Sequence, residues 1–109
     1  MLYLCTPYTH ADPTFMEYRF QQAAAFTYHH IEQGRVIFSP IVYAHQLVEL
    51  FGAPTDALAW ASFNEEMLVR ASAVWVLKLD GWRESRGIAA ELLFADRTGL
   101  PVAYKRPLE

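Results

Sequence analysis

Short apolar runs alternate with longer amphipathic segments along this chain, and turn-favouring residues separate them. The apolar runs are 2–5 (LYLC), 35–40 (RVIFSP), 71–79 (ASAVWVLKL) and 101–105 (PVAYK). Thr6-Pro7 and Ser39-Pro40 close the first two runs. The third run is nearly continuously apolar, as expected for a strand that is covered on both faces of its sheet. The pattern predicts four short β-strands.

The segments between these runs have apolar residues at helical spacing and recognisable helix ends. The first helix is expected to start with Asp12 or Thr14 as its N-cap and Pro13 near its first position, and Gly34 ends it. Further helices are predicted over 41–52, from 54–55 to about residue 70, and from about residue 83 to residue 97.

The resulting order β-α-β-α-α-β-α-β implies a parallel sheet with helices on both sides. We expect a three-layer α/β/α fold of the flavodoxin or Rossmann-like type, with a four- to five-stranded parallel sheet. No repeat or linker interrupts residues 1–109, so the sequence predicts a single domain. Such sheets bind ligands beyond the carboxyl ends of their strands, which here are followed by loops at 6–9, 39–40 and 80–85.

The composition favours a protein that binds a small molecule over one that binds a polymer or a membrane. The 109-residue chain has a net charge of −3 and no run of Lys or Arg, so we expect no nucleic-acid polymer as a partner. Cys5 is the only cysteine, which predicts a reducing, cytoplasmic location without an intrachain disulfide. No apolar stretch reaches the ~20 residues that span a bilayer, so no membrane segment is expected.

Residues 79–95, LDGWRESRGIAAELLFA, are the strongest candidate for chemistry. Ser85 at the helix start can offer a hydroxyl and free N–H groups to a phosphate. Gly87 lies one turn before Glu91, and its missing side chain would open a path to that carboxylate, whose apolar neighbours predict a shifted pKa. Simpler explanations stay open: Ser85 as an N-cap, Gly87 for close packing, and Glu91 facing solvent.

Two motifs of the chain resemble the nucleoside 2-deoxyribosyltransferase superfamily, which includes 2′-deoxynucleoside 5′-phosphate N-hydrolases. LYLCTPYT, residues 2–9, is similar to the family's tyrosine-containing first strand and the small-residue turn after it. SRGIAAE, residues 85–91, is similar to its later signature of Ser or Asp, then Gly, then Glu. The resemblance implies one nucleoside deoxyribosyltransferase-like domain and a nucleotide site.

Carried over by position, the resemblance assigns roles to three residues. Glu91 matches the family nucleophile, which attacks C1′ of a (deoxy)ribosyl group to form a glycosyl-enzyme. Ser85 matches the residue that holds the 5′-phosphate in the hydrolases, which implies a nucleoside 5′-monophosphate as the substrate. Tyr3 matches the strand tyrosine whose phenol would align Glu91. The implied activity is hydrolysis of an N-glycosidic bond or transfer of the sugar.

The sequence departs from the family pattern in the residues around the base and the phosphate. Asn64 stands where the family often has an aspartate that assists the departing base, and an amide can hold a base but cannot protonate it. The first loop has Pro7 and Tyr8 where the hydrolases carry serine and arginine. One phosphate anchor is therefore either missing or replaced by Thr6 or Thr9.

A third departure is the connection DGWRES, residues 80–85, which is longer than usual in the family. Trp82 is expected to form a lid or stacking wall there, and Asp80 is either a replacement acid or a turn residue. The predicted catalytic residues are therefore Glu91, Tyr3 and Asp80. The predicted substrate-binding residues are Thr6, Tyr8, Ser39, Asn64, Trp82, Ser85 and Gly87.

Neither a metal nor another cofactor is expected. His29 and His30 are adjacent, so on a helix their side chains point about 100° apart and cannot share an ion. His10 and His45 are isolated, and the chain has no ligand motif such as H-E-x-x-H. His45 is expected to be a polar residue near the second loop, with lining of the pocket as the alternative.

The predicted partners are a nucleotide and a second copy of the chain. Trp60, Phe63 and Met67 lie at helical spacing and predict either core packing or a subunit interface, so a homodimer or higher homo-oligomer is expected. The main alternative function is a non-catalytic module that binds a nucleotide or an ADP-ribose-like ligand, and Asn64 in place of a carboxylate favours it. A third possibility is a structural subunit without a ligand.

Overall fold

The computed structural model describes residues 1–108, which form a parallel sheet with helices packed on it. The strands are β1 (Leu2–Cys5), β2 (Ile37–Phe38), β3 (Ala73–Leu77) and β4 (Val102–Lys105). The helices are α1 (Pro13–Glu32), α2 (Pro40–Phe51), α3 (Ala57–Leu68) and α4 (Arg86–Thr98), and a 3-10 turn at Trp82–Glu84 precedes α4. The predicted order of elements is confirmed. No helix in the described part of the chain combines the length and apolar character needed to cross a membrane.

All four strands are parallel and lie in the spatial order β2-β1-β3-β4. The predicted three-layer α/β/α, Rossmann-like fold is therefore confirmed, with four strands in the sheet. The chain goes from β1 to β2 on one side and returns to β3 on the other side of β1. This change of direction creates a crevice beyond the carboxyl ends of β1 and β3, where sheets of this kind bind ligands.

The sheet buries both of its faces, and this explains why its central strands are almost entirely apolar. Tyr3 and Cys5 of β1 pack on one side, in a cluster that includes Ile88 of α4. Leu4 points to the opposite side, where it packs in a cluster with Phe26 of α1. Helix α1 therefore covers one face, and α4, against which α3 packs, covers the other.

Side-chain caps fix the starts of the helices and explain where the predicted boundaries differ from the observed ones. Asp12, rather than Thr14, caps α1 and accepts a hydrogen bond from a backbone N–H of the first turn. Asp56 caps α3, which therefore begins later than predicted. Ser85 caps α4, so the predicted start near Arg83 is wrong, because the residues before Ser85 form the 3-10 turn instead.

The predicted apolar face of α3 divides between the core and the surface. Met67 packs against the core, and Phe63 stacks on Tyr43 of α2 with the ring centroids 5.4 Å apart. Phe51 and Leu58 are largely exposed at the facing ends of α2 and α3. Exposed apolar side chains of this size are compatible with association between copies, which stays a prediction.

The packing of the sheet predicts different costs for two valines that are paired in register on β3 and β4. Val74 is fully buried and Val102 is 36% exposed. We expect Val74→Ala to lower the free energy of unfolding by about 2 kcal/mol, because it removes buried methyl groups and leaves a cavity, and Val102→Ala to lower it by less than about 1 kcal/mol. Urea denaturation measures both values, and equal losses would contradict the assigned core.

Candidate functional site

A cavity of about 600 Å³ opens beyond the carboxyl ends of β1 and β3. Its volume lies in the range of about 300 to 1,000 Å³ that is usual for small-molecule sites. The loop after β1, the first turns of α2, the middle of α3 and the start of α4 form its walls. The polar and charged residues that line it are Thr6, Tyr8, Thr9, His10, Arg19, Thr55, Asp56, Asn64, Glu84, Ser85, Arg86 and Glu91.

Glu91 lies on the wall of this cavity and is the only buried carboxylate among residues 1–108, with 8% of the residue exposed. Tyr3, on the neighbouring strand β1, donates a hydrogen bond from its hydroxyl to Oε2 of Glu91. The explanation that Glu91 faces solvent is therefore excluded. Tyr3 holds the carboxylate in the way that the resemblance implied.

The surroundings of Glu91 shift the pKa values of three groups. Burial raises the pKa of Glu91 to about 7, while hydrogen bonds from the Tyr3 hydroxyl and the Cys5 thiol act to lower it. Burial and the charge of Glu91 raise the pKa of Tyr3 far above its ordinary value, so its phenol stays protonated and remains a donor. The pKa of Cys5 is raised for the same reasons. Glu91 thus has both protonation states within reach at neutral pH.

Gly87 and Ser85 form the wall of the cavity beside Glu91. A Cβ atom on Gly87 would lie 3.7 Å from Cβ of Ala57 and 3.8 Å from Oγ of Ser85, both ordinary contacts. Close packing therefore does not require glycine, whereas any side chain there would narrow the gap between α3 and Ser85. Ser85 is the N-cap of α4, with its Oγ accepting from the N–H of Ile88 at 3.2 Å, and it lines the cavity as well.

Two buried oxygen atoms of the cavity wall lack a hydrogen-bond partner in the described part of the protein. These are Oγ1 of Thr6, on the loop after β1, and Oδ1 of Asn64, on α3. A buried polar atom without a partner costs about 1 to 3 kcal/mol. Both residues were predicted to bind substrate, and both line the cavity.

Arg19 is a residue of the site that the sequence reasoning missed. From α1 its Nη1 donates to the carbonyl oxygens of Tyr8 at 3.3 Å and Thr9 at 3.2 Å, and its Nη2 donates to that of Asp80 at 3.1 Å. Its guanidinium thus ties together the loops after β1 and β3 and brings a positive charge to the cavity. The first turns of a helix that follows a parallel strand lie at the ligand-binding edge of the sheet. The sequence could therefore have identified Arg19 as a site residue from its position near the start of α1.

Three predicted site residues lie outside the cavity. Asp80 is exposed in a turn and lines a separate hollow with Lys78, so its prediction as the replacement acid is wrong. Trp82 packs on Tyr104 at a centroid distance of 5.4 Å, because the 3-10 turn directs it toward β4, and it forms no lid. Ser39 is buried as the N-cap of α2, with its hydroxyl used in that cap.

A second polar group lies behind the cavity, around His45 of α2. The Tyr8 hydroxyl is 2.7 Å from Nδ1 of His45, and Nε2 of His45 is 2.7 Å from Oε2 of Glu17 and 3.5 Å from Oε1 of Glu49. In the described part of the chain, Glu17, His45 and Glu49 form the only group whose potential metal-ligand atoms lie within 4.8 Å of one another. Hydrogen bonding between the ring and the carboxylates accounts for this arrangement, so we assign no ion to it.

The contact between Arg19 and Gly81 predicts a difference between two glycines. Both have positive φ, +91° at Gly81 and +86° at Gly34, but a Cβ on Gly81 would lie 2.6 Å from Nη2 of Arg19, and one on Gly34 would contact nothing. We expect Gly81→Ala to lower the free energy of unfolding by about 1 kcal/mol more than Gly34→Ala, because it displaces the guanidinium from its carbonyl partners. In an Arg19→Met background, urea denaturation should give equal costs. If Gly81→Ala and Gly34→Ala lowered the free energy of unfolding equally in the unaltered chain, Arg19 would not be joining the two loops as described.

The raised pKa of Glu91 predicts a gain in stability when the charge is removed. A carboxyl whose pKa rises from 4.5 to about 7 on folding destabilises the folded state above pH 7. That cost shrinks as the pH falls and vanishes below the unfolded value of 4.5. We expect Glu91→Gln to be more stable than the unaltered protein, by on the order of 2 kcal/mol at about pH 8 and by almost nothing at about pH 4. Denaturation at both pH values tests this, with the exposed Glu66→Gln as the control. A gain that does not depend on pH would contradict it.

Comparison with known proteins assigns the chain to a family. No curated protein matches the chain. A family model described as "Domain of unknown function (DUF1937)" matches residues 1–106, which is nearly the whole chain. The chain therefore belongs to the DUF1937 family.

Proposed function

We propose that this protein cleaves the N-glycosidic bond of a nucleoside 5′-monophosphate, with Glu91 as the nucleophile. The observation that carries the proposal is a buried carboxylate on the wall of a ligand-sized cavity, held by the hydroxyl of Tyr3. A solvent-facing glutamate on a helix needs no such partner. Burial raises the pKa of Glu91, so its ionised form lowers the stability of the fold. A carboxylate with such a shifted pKa in a cavity is typical of a functional site.

In the proposed reaction, an oxygen of Glu91 attacks C1′ of the sugar, and the C1′–N bond breaks. The glycosyl-enzyme is then opened by water or by another base. Tyr3 donates its hydrogen bond to Oε2 of Glu91, and the other carboxylate oxygen is the one that attacks in this proposal. A hydrogen bond from Tyr3 also favours the ionised, nucleophilic form of Glu91.

The polar groups on one side of the cavity support a phosphate as part of the substrate. Ser85 and the first N–H groups of α4 face this side, and a helix N-terminus of this kind favours an anion. Arg19 and Arg86 also line the cavity. They supply the positive charge that the loop after β1 lacks relative to the phosphate hydrolases, because Pro7 and Tyr8 replace serine and arginine there.

The apolar part of the cavity wall supports a flat, partly polar base. Ile41, Ala44 and Val48 of α2 and Trp60 of α3 provide an apolar wall. The unpartnered Oδ1 of Asn64 could accept a hydrogen bond from an amino or imino group of such a ring. The similarity of SRGIAAE to the signature of the nucleoside 2-deoxyribosyltransferase superfamily agrees with this division of the cavity.

One observation favours the alternative, a module that binds a nucleotide without turning it over. Asn64 cannot donate a proton to the departing base, and Asp80 does not line the cavity. On this alternative, the unpartnered oxygens of Thr6 and Asn64 serve recognition alone. Turnover decides between the two functions.

We expect the protein to release free base from one or more deoxyribo- or ribonucleoside 5′-monophosphates, and to do so faster than from the matching nucleosides. Chromatography of the products measures the rate, and intact-protein mass spectrometry detects the glycosyl-enzyme. Glu91→Gln should slow base release on the order of a thousandfold or more, because it removes the nucleophile. The exposed Glu66→Gln is the matched control and should leave the rate unchanged.

Each outcome of this experiment has a distinct meaning. Base release that survives Glu91→Gln would exclude Glu91 as the nucleophile. Binding of monophosphates without base release by the unaltered protein would favour the nucleotide-binding module. The absence of both binding and base release would favour a structural role.

A further inference from the structure

A line of hydrogen bonds runs from the cavity to the protein surface through a buried histidine. Tyr8 lines the cavity, and its hydroxyl lies 2.7 Å from Nδ1 of His45, which is only 3% exposed. On the other side of the ring, Nε2 lies 2.7 Å from Oε2 of Glu17, whose side chain is 47% exposed. Glu49 approaches the same nitrogen at 3.5 Å. This group plays no part in the mechanism described above.

The ring of His45 lies between the Tyr8 hydroxyl on one side and two carboxylates on the other. Hydrogen bonds from Gln21 and His45 lower the pKa of Glu17, so this carboxylate is ionised at neutral pH. Together with Glu49, it places negative charge beside Nε2 of His45. Phe20 stacks on the ring at a centroid distance of 4.2 Å and fixes its plane. The titratable groups that face His45 are thus Tyr8, Glu17 and Glu49.

The protonation state of His45 decides what the Tyr8 hydroxyl offers to the cavity. When both ring nitrogens carry protons, Nδ1–H donates to the Tyr8 oxygen, and the Tyr8 proton is free to point to a ligand. When Nδ1 is bare, Tyr8 donates to it, and its oxygen can accept a proton from a ligand. Burial, with the charges of Glu49 and Glu17, raises the pKa of Tyr8 to about 12, so no free tyrosinate accumulates in either state.

We propose that Tyr8 is the catalytic acid and base of this site, that His45 supplies and recovers its proton, and that Glu17 positions His45. The proposal rests on the glycosidic-bond cleavage proposed above. It assigns to Tyr8 the proton transfer that Asn64 cannot perform and that Asp80, outside the cavity, does not reach. Tyr8 and Glu91 both line the cavity.

The proton transfers balance over the two steps. In the first step, a Glu91 oxygen bonds to C1′, and the electron pair of the C1′–N bond stays on the base nitrogen. That nitrogen takes the hydroxyl proton of Tyr8, while Tyr8 takes the Nδ1 proton of His45. In the second step, a water oxygen bonds to C1′, and the electron pair of the C1′–Glu91 bond returns to the carboxylate. The water proton passes to Tyr8, and the Tyr8 proton returns to Nδ1.

The test compares departing bases that need a proton with bases that need little or none. A nucleotide of 7-methylguanine releases a neutral base without protonation, and 5-fluorouracil is a better leaving group than uracil. Single-turnover base release is measured for the natural monophosphate that the unaltered protein accepts and for its activated counterpart. The variants are Tyr8→Phe, His45→Gln and Glu17→Gln, and the control is Tyr28→Phe, an exposed tyrosine of α1.

We expect Tyr8→Phe and His45→Gln to slow release of the natural base on the order of a hundredfold or more, and to slow release of the activated base by much less. Glu17→Gln should give a smaller effect in the same direction. Because Glu17 is half-exposed, its variant tests the relay even if a change at the buried Tyr8 or His45 impairs folding.

Two results would overturn this proposal alone, and a third would overturn the proposed function together with it. Equal slowing of natural and activated bases would mean that Tyr8 and His45 only maintain the shape of the cavity. Unchanged rates in all three variants, with base release still dependent on Glu91, would overturn the relay and leave the glycosidic-bond cleavage in place. No release of either base by the unaltered protein would overturn both.

Discussion

The hydrogen bond from the Tyr3 hydroxyl to the Glu91 carboxylate joins the centre of the sheet to the helix that packs on it. Both residues are buried, so this contact places the one buried carboxylate of residues 1–108 at the carboxyl edge of β1 and β3. A charge in this position is unfavourable, because burial favours its neutral form. The site therefore combines a cost in stability with a reactive group, a combination that is common where a protein binds or transforms a ligand.

Other features of the cavity follow from the same edge of the sheet. The loops after β1 and β3 meet there, and the guanidinium of Arg19 joins them through their backbone carbonyl groups. Gly81 is the residue whose backbone conformation and lack of a side chain admit that guanidinium. Thr6 and Asn64, each with a buried oxygen that has no hydrogen-bond partner in the described residues, line the same space. Charge, hydrogen-bonding capacity and an apolar wall are thus gathered within one cavity.

The sequence predicted a site residue correctly where its role depends on its near neighbours in the chain. Ser85 could be placed at the start of a helix from the turn before it and the apolar spacing after it, and it does cap α4. Trp82 and Asp80 lie only a few residues away: Trp82 forms no lid, and of the two roles open for Asp80 the structure shows that of a turn residue. The direction of a side chain in a short turn depends on the dihedral angles of that turn, and nothing in the spacing of residues around Gly81 predicts a 3-10 turn.

The amino-acid sequence by itself determined the order of the elements, the parallel sheet and the edge at which a site would lie. Apolar runs and helix caps are local signals, and the right-handed connection rule converts their order into a fold. Only the tertiary structure decided that Arg19 reaches both loops and that Tyr8, His45 and Glu17 form one line of hydrogen bonds. These contacts join side chains from different elements, and their formation depends on rotamers and packing distances that no single segment of the chain specifies.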